Sequence, residues 1–278
     1  MKHKPSTWLS CFSPNADAAL RLFCFSYAGG SAAIFRNWAE SLPRAVEVCA
    51  VQLPGRGSRL SEPSATHLLT LVAEIAQGLE PYLDKPCAFY GHSMGALVAF
   101  ELTHLLYRTD RVELSHLFVS GCSAPQTIKA DELTYNLPDD QFIEHLRELN
   151  GTPGELLENP ELMQLMLPII RADFMALETY SCVPQPKLAC PVTAIGGLED
   201  ATVSFGDIKA WSEQTTASFS ARMLPGDHFF IHSARTLLLQ VLSKELHQLV
   251  ARIYATAHAQ SVLSSCHTRV EAQSERNS

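Results

Sequence analysis

Short apolar runs rich in β-forming residues alternate along the chain with longer stretches whose apolar positions recur at helical spacing. Six such runs predict strands, over residues 20–26, 46–53, 87–91, 116–121, 191–197 and 219–225. Helical spacing predicts helices near 33–42, 66–84, 94–108 and 205–216, and a long helix over about 231–255. This alternation is typical of a parallel sheet with both faces covered. We therefore predict an α/β fold with a mostly parallel central sheet and helices on both faces.

Residues 125–186 interrupt the alternation, because they show helical spacing and no good strand. Prolines at 138, 153, 160 and 168 and a Gly-Thr-Pro-Gly turn at 151–154 divide this segment. We predict a helical insertion over the carboxyl edge of the sheet, in the position of a lid. The alternative is a set of ordinary helices that cover the sheet.

The length of the chain allows two domains, but α/β folds of this size are commonly one domain. We predict a single domain over residues 1–256, which includes the insertion. Residues 257–278 are polar and aperiodic, so we predict a disordered tail there.

The composition is that of an ordinary soluble globular protein. Of the 278 residues, 46% are hydrophobic and 18% are charged. The net charge is −8, and the lysines and arginines are scattered, which argues against a nucleic-acid surface. The N-terminus has no apolar signal-peptide core, and no apolar run approaches the ~18 residues of a membrane span. We expect a cytoplasmic protein that binds neither nucleic acid nor a membrane.

The eight cysteines are widely spaced, with no CxxC pair and no Cys/His spacing of a metal site. Several fall within apolar runs, where a thiol behaves as a small buried hydrophobe. We therefore expect reduced thiols, no disulfide and no metal.

The first candidate for chemistry is Ser93, in the stretch FYGHSMGAL at 89–97. A G-x-S-x-G pattern alone is weak evidence, but this one lies between a predicted strand and a predicted helix. A nucleophile elbow requires that context, because the serine then occupies a sharp turn at the end of the strand. Ser93 is therefore the predicted nucleophile, and the alternative is a structural serine in a tight turn.

A serine nucleophile needs a base and an acid, which follow it in chain order in this architecture. Among eleven histidines, His228 is favoured because it lies in a loop between the last predicted strand and the last helix. Its neighbour His232 falls inside that helix. The acid should follow the strand at 191–197, where Asp200 is favoured and Glu199 is the competitor.

An acyl-transfer site also needs donors for the oxyanion. One donor in this architecture is the backbone N–H of the residue after the serine, here Met94. The second should come from the glycine loop Tyr27–Ser31, which follows the first predicted strand. That loop is not a phosphate-binding loop, since neither GxGxxG nor GxxxxGK[ST] occurs in the chain.

Four separated motifs carry a resemblance to a known family. They are FSYAGGS at 25–31, LPGRGSR at 53–59, YGHSMGALVAFEL at 90–102 and LPGDHFFI at 224–231. In this order and spacing, over about residues 20–250, the chain resembles the stand-alone type II thioesterases. Those enzymes accompany polyketide synthases, nonribosomal peptide synthetases and some fatty acid synthases.

The resemblance implies an α/β-hydrolase fold with a helical lid. It implies hydrolysis of acyl groups from the phosphopantetheine arm of a carrier protein, which clears misprimed or stalled units. By position, the family's nucleophile, acid and base fall on Ser93, Asp200 and His228, and its oxyanion donors on the backbone of Met94 and Ala28. The implied partner is a carrier domain, and no cofactor is implied beyond the phosphopantetheine on the substrate. We expect a free-standing monomer.

Some residues keep two interpretations. Arg56 and Arg59 either anchor their loop or meet an acidic carrier or the pantetheine phosphate. The apolar residues of the insertion either line an adaptable acyl pocket or belong to the core; they are Leu162, Met163, Leu165, Met166 and Met175. Ser26 departs from the family, which often has proline there, but this leaves the oxyanion N–H groups in place.

Three rival functions are distinguished by features of the sequence. A general carboxylesterase or lipase would use the same triad, although an HGGG-type loop, not AGGS, would favour it. A non-catalytic carrier-binding module would not need Ser93, Asp200 and His228. A thioesterase domain cut from a synthase would be expected beside a carrier domain, and the chain shows no such segment.

Overall fold

The computed structural model describes residues 7–109, 114–128, 133–149 and 158–275, with side chains up to residue 259. Seven strands form one sheet in the order β1-β3-β2-β4-β5-β6-β7. They are β1 (Leu9–Ser10), β2 (Leu20–Phe25), β3 (Val46–Val51), β4 (Cys87–His92), β5 (His116–Ser120), β6 (Val192–Gly197) and β7 (Phe219–Leu224). Strand β1 pairs antiparallel with β3, and all other neighbours are parallel. The predicted mostly parallel sheet is confirmed.

All six predicted strands are present, each within two residues of its predicted bounds. The sequence does not reveal β1, because two residues at the edge of a sheet leave no apolar run to detect. Parallel strands β2 to β5 are buried at every residue. Their continuous apolar sequences follow from this burial on both faces.

Alternate residues of the strands enter two separate hydrophobic clusters, one on each face of the sheet. Phe23, Cys49 and Phe89 belong to the first, which α1 (Leu68–Leu79) and α2 (Met94–Arg108) cover. Leu22, Val48 and Tyr90 belong to the second, which the C-terminal helix covers. This two-residue alternation is the pleat of a β-sheet.

The predicted helix over 94–108 agrees residue for residue with α2, which is buried almost all round as its apolar sequence suggests. The predicted helix over 33–42 is instead two short 3-10 turns, Ala32–Phe35 and Trp38–Glu40. The stretch near 205–216 forms α5 (Phe205–Ala210) followed by a 3-10 turn.

Two helices lie in the described part of the predicted insertion, α3 (Asp139–Glu148) and α4 (Pro160–Glu178). In the described residues between β5 and β6 no strand occurs, so the insertion prediction holds there. The Asn159 side chain caps α4 by accepting the Leu162 N–H at 3.1 Å, and Pro168 lies inside the helix. The two helices share a small apolar cluster that is distinct from the clusters on the sheet.

The chain ends in α6 (Phe230–Ser233) and α7 (Arg235–Glu275). The structure therefore differs from the predicted disordered tail, since the helix continues to Glu275; residues 276–278 lie outside the described residues. Its sequence contains neither glycine nor proline, so nothing stops a helix from propagating once it has begun. Among the described helices, none is long and apolar enough to cross a membrane.

Candidate active site

Ser93 lies in the turn between β4 and α2 with φ 53° and ψ −120°. It is the only non-glycine residue with positive φ in the described part of the chain. Such a conformation is costly and must be held by its surroundings. The Ser93 N–H donates to the carbonyl of Ser120 at 2.8 Å, and the Ser93 carbonyl accepts the Ala96 N–H at 2.9 Å. The strained turn is the elbow that the motif predicts.

Gly91 and Gly95 are required by close backbone approach. A Cβ at Gly91 would lie 2.1 Å from the carbonyl oxygen of Gly95. A Cβ at Gly95 would lie 2.3 Å from the carbonyl oxygen of Phe25, on the neighbouring strand. Both glycines of the motif therefore let strand, turn and helix pack together without a clash.

The structure brings Ser93, His228 and Asp200 together. His228 Nε2 lies 3.0 Å from Ser93 Oγ, and His228 Nδ1 lies 2.8 Å from Asp200 Oδ2. This is the hydrogen-bonded relay that activates a serine hydroxyl. The competitors do not take these places. His228 Nδ1 is bonded by Asp200 and, in the described residues, no hydrogen bond joins it to the Glu199 side chain. His232 Nε2 bonds the Tyr27 hydroxyl at 2.8 Å.

Asp200 is fixed from both of its oxygens. While Oδ2 faces His228, Oδ1 accepts the Thr202 N–H and hydroxyl, each at 2.8 Å, and the Val203 N–H at 3.0 Å. Burial acts to raise the pKa of this carboxyl, but the hydrogen bond and charge of His228 and the bonds from Thr202 outweigh it, so the pKa falls to about 2. Asp200 is therefore a carboxylate held in one orientation, which fixes the tautomer of His228.

His92 is a site residue that the sequence reasoning missed. Its buried ring lies between the Ser120 hydroxyl, 2.9 Å from Nδ1, and the carbonyl oxygen of His228, 2.9 Å from Nε2. Burial, and then the charge of His228, hold the pKa of His92 well below its ordinary value. A neutral ring with its proton on Nε2 donates to the His228 carbonyl and accepts from Ser120. The signal in the sequence was the histidine beside the serine in GHSMG.

Met94 and Ala28, whose backbone N–H groups are the predicted oxyanion donors, both lie near Ser93. Met94 is the first residue of α2, where an N–H has no partner inside the helix. Ala28 follows β2 and lines the same cavity as Ser93. In the described residues we find no hydrogen bond that occupies either N–H. The helix N-terminus adds its positive dipole end to the same place.

Ser93 and His228 open into a cavity of 350 Å³. Its lining is largely apolar, and the insertion supplies much of it; lining residues include Leu97, Leu146, Ile170, Phe174, Leu177 and Val203. A larger cleft of 1020 Å³ adjoins it and shares Ile128, Leu177 and Glu178, but contains no member of the triad. The smaller cavity is the candidate acyl site because the reacting groups face it.

The pocket interpretation of the Met- and Leu-rich stripe is wrong, because none of its five residues lines the cavity at Ser93. Met163 and Met166 pack in the small cluster between α3 and α4, and Leu162 and Leu165 are exposed. The cause is the direction in which each side chain points around the axis of α4. Ile170, Phe174 and Leu177 recur every three to four residues along α4, so their common face meets the cavity while the stripe lies on other faces.

Arg56 and Arg59 are both buried, 3% and 6% exposed, so they anchor their loop and do not present a surface to a carrier. Arg56 pairs with Asp173 of α4 through two bonds of 2.5 and 2.6 Å. Arg59 pairs with Glu62 and stacks over the Trp8 ring at 3.7 Å. Asp173 is another functional candidate that no motif announced.

One group in the described residues brings three ligand-type atoms within 4.8 Å of one another, from Cys11, Glu47 and Cys49 on β1, β3 and their flanks. The Glu47 carboxylate already pairs with Arg21 at 2.8 Å, and the group is remote from Ser93 in the sheet order. The seven cysteines whose side chains are described are all free.

Comparison with known proteins agrees with this geometry. A family model described as a thioesterase domain matches residues 20–246. The linear gramicidin dehydrogenase LgrE of Brevibacillus parabrevis is 45% identical over 245 residues, which cover 87% of this chain and 93% of that protein. The gramicidin S biosynthesis protein GrsT of Aneurinibacillus migulanus is 42% identical over 244 residues, which cover 88% and 95%.

Among solved structures, the type II thioesterase BorB from the borrelidin biosynthetic cluster aligns with a TM-score of 0.81 at 33% identity. The alignment covers 88% of this chain and 100% of that one. The resemblance inferred from the four motifs is confirmed.

Proposed function

This chain belongs to the thioesterase family, and we propose that it is a stand-alone type II enzyme that hydrolyses acyl groups from the phosphopantetheine arm of carrier domains. The observation that carries the proposal is the relay Ser93–His228–Asp200, with bonds of 3.0 and 2.8 Å, opening into an apolar cavity between sheet and insertion. The synthase served makes polyketides or nonribosomal peptides, as the names of the relatives suggest.

In the proposed first step, His228 Nε2 accepts the proton of Ser93 while Oγ attacks the thioester carbonyl. The developing oxyanion is held by the Ala28 and Met94 N–H groups. The carbon–sulfur bond breaks as the intermediate collapses, and the pantetheine thiol leaves with the proton from His228. Asp200, ionised throughout, stabilises the imidazolium without taking its proton.

In the second step, water replaces the thiol. His228 removes a proton from the water, the hydroxide attacks the acyl-serine, and the acid product leaves as Ser93 regains its proton. The chain's own residues supply every proton transfer, so the proposed mechanism requires no cofactor other than the pantetheine that the substrate carries. Removal of misprimed or stalled units is the use we propose for this activity.

The partner in this proposal is a carrier domain of a synthase, and the protein acts as a cytoplasmic monomer of one domain. The apolar lining of the acyl cavity supports a carrier-bound acyl chain more than a charged small ester. Sedimentation or light scattering of the purified protein checks the monomer.

Hydrolysis of a panel of acyl-carrier proteins, from acetyl to long-chain and aminoacyl, tests the function. We expect turnover on carrier thioesters to exceed turnover on p-nitrophenyl esters of equal chain length. Ser93→Ala should reduce hydrolysis by about 10³-fold or more, because the covalent route is lost. Faster ester turnover would favour a carboxylesterase, and unchanged release by Ser93→Ala would favour a non-catalytic carrier-binding protein.

A further inference from the structure

The glycine loop that carries the Ala28 N–H is a tight turn. The Gly30 N–H donates to the carbonyl of Tyr27 at 2.9 Å, which closes four residues with Ala28 and Gly29 at the centre. Gly29 has φ +76°, the value that the third position of a type II turn requires. In such a turn the central peptide, between Ala28 and Gly29, has an alternative orientation, so something must hold it.

A carboxylate from the insertion holds that peptide. Asp173 Oδ2 accepts the Gly29 N–H at 2.7 Å. Arg56 Nη1 donates to the carbonyl of Gly30 at 3.2 Å as well as to Asp173. Ile170, in the preceding turn of α4, also lies against the loop, since a Cβ added at Gly29 would be 3.0 Å from its side chain. Two successive residues after Ala28 are therefore fixed by charged side chains.

Both charged groups are withdrawn from water, each with a side-chain exposure of 3%. A buried ion pair is a poor source of stability, since desolvation opposes the attraction between the charges. The ion pair contributes here mainly by fixing the geometry of the groups that it contacts. Arg56 and Asp173 each form a hydrogen bond with the backbone of the turn. The pair therefore holds that backbone as well as joining its own two charges.

We propose that Arg56 and Asp173 are positioning residues that orient the Ala28 N–H, so that the seating of the insertion helix α4 on the glycine loop sets the oxyanion hole. The inference rests on the proposed function for the reaction in which the oxyanion forms. It extends that function, because it makes a residue of the lid part of the machinery that stabilises the transition state.

The consequence for catalysis is specific. When either residue is lost, Gly29 and Gly30 are no longer held. The backbone of the turn can then shift, and the Ala28 N–H on the preceding peptide loses its fixed position relative to the developing charge. Interactions made only with the oxyanion affect kcat and the affinity for tetrahedral analogues, whereas ground-state binding of the thioester is unchanged. A merely structural role would change stability without this selectivity.

The test uses Arg56→Met and Asp173→Asn in the full chain, with an acyl-N-acetylcysteamine thioester as substrate and an arylboronic acid as oxyanion analogue. We expect kcat to fall roughly tenfold to hundredfold, below the effect of deleting a donor outright. Boronate affinity should fall by a similar factor, with KM within about threefold of the wild type.

The chain offers a matched control in the buried pair Arg21–Glu47, 2.8 Å apart and 6% and 8% exposed at the start of β2 and β3. Arg21→Met and Glu47→Gln should lower the melting temperature in the same way but leave kcat and boronate affinity unchanged. If Arg56→Met does not fold, Arg56→Lys keeps the charge without the paired bonds and should show an intermediate loss.

The proposal is overturned if folded Arg56 and Asp173 variants keep wild-type kcat and boronate affinity, or if the Arg21 and Glu47 variants lose as much activity at equal stability. The readouts do not involve a carrier protein. A wild-type enzyme that ignores acyl carriers would therefore sink the proposed function and leave this test intact.

Discussion

Asp200 and His92 show how two titratable side chains serve one histidine from opposite sides. Asp200 is kept charged by the bonds it accepts, and it binds the ring of His228 at Nδ1. His92 is kept neutral by burial, and it binds the backbone carbonyl of the same residue. One partner fixes the tautomer and the other fixes the loop, so the His228 ring reaches Ser93 in a single orientation.

The lowered pKa of Asp200 predicts a stability change with pH. Because the pKa is about 2 in the folded protein and 3.8 ordinarily, the carboxylate stabilises the fold at pH above about 4. That contribution, about 2 kcal/mol, is lost as the pH falls through 2. Urea unfolding should show a constant gap between wild type and Asp200→Asn from pH 7 to 5, which narrows below pH 4. A gap that already narrows at pH 6 would contradict the assigned pKa.

At the scale of elements, the elbow depends on three chain segments meeting at two glycines. Strand β4, helix α2 and the end of β2 approach so closely that Gly91 and Gly95 have no room for a methyl group. The same contacts hold Ser93 in its strained conformation. The reactivity of the serine is therefore a product of packing between elements, not of the serine alone.

Gly95→Ala tests this packing. The added Cβ would meet the Phe25 carbonyl oxygen at 2.3 Å, so either β2 or α2 must move. We expect a loss of about 3 kcal/mol or more in the free energy of unfolding together with loss of activity.

Gly206→Ala is the matched control. Gly206 lies in α5, and the nearest atom to an added Cβ is the Ser204 hydroxyl at 3.4 Å. Its stability should change by less than about 1 kcal/mol, with activity retained. Equal losses in the two variants would show that the clash at the elbow relaxes easily.

Elements and site residues could be predicted where their signal lies in a short stretch of the sequence. The six longer strands and α2 were found because burial on both faces leaves continuous apolar sequence. Ser93, Asp200 and His228 were found because each follows a strand or precedes a helix at a fixed place in the chain order. These roles remain predictions until the variants are assayed.

Asp173 and His92 could not be found in the same way. Asp173 is 117 residues from Arg56, and its role exists only once the insertion folds back onto the glycine loop. His92 acts through a backbone carbonyl, which leaves no mark on the identity of its partner. The phase of α4, which decides that Phe174 and not Met175 meets the cavity, depends on packing that periodicity alone does not fix.

At the scale of the whole molecule, the net charge of −8 bears on how a partner arrives. The charged side chains that are buried near the site, Arg56 and Asp173, compensate each other and offer no attraction at a distance. Like-charged proteins repel over the Debye length, which shrinks from roughly 20 Å to below 10 Å as salt rises to physiological concentrations.

The thioester on an acidic acyl carrier protein should therefore be hydrolysed faster at higher salt. We expect kcat/KM on that carrier to rise about two- to fivefold between 20 and 200 mM NaCl. With an uncharged N-acetylcysteamine thioester as control, kcat/KM should not change. A fall with salt would reveal a local positive patch that steers the carrier in.

Pro168 divides α4 into two segments, one before it and one after it. The half before it exposes Leu162 and Leu165, the half after it carries Asp173, and both halves pack against α3. Because proline has no N–H to donate to the preceding turn, the helix lacks a bond at the division. The segment after Pro168 lines the acyl cavity through Ile170 and Phe174 and also holds the glycine loop through Asp173. The size of the acyl group and the geometry of the oxyanion hole are therefore coupled through one segment of the helix.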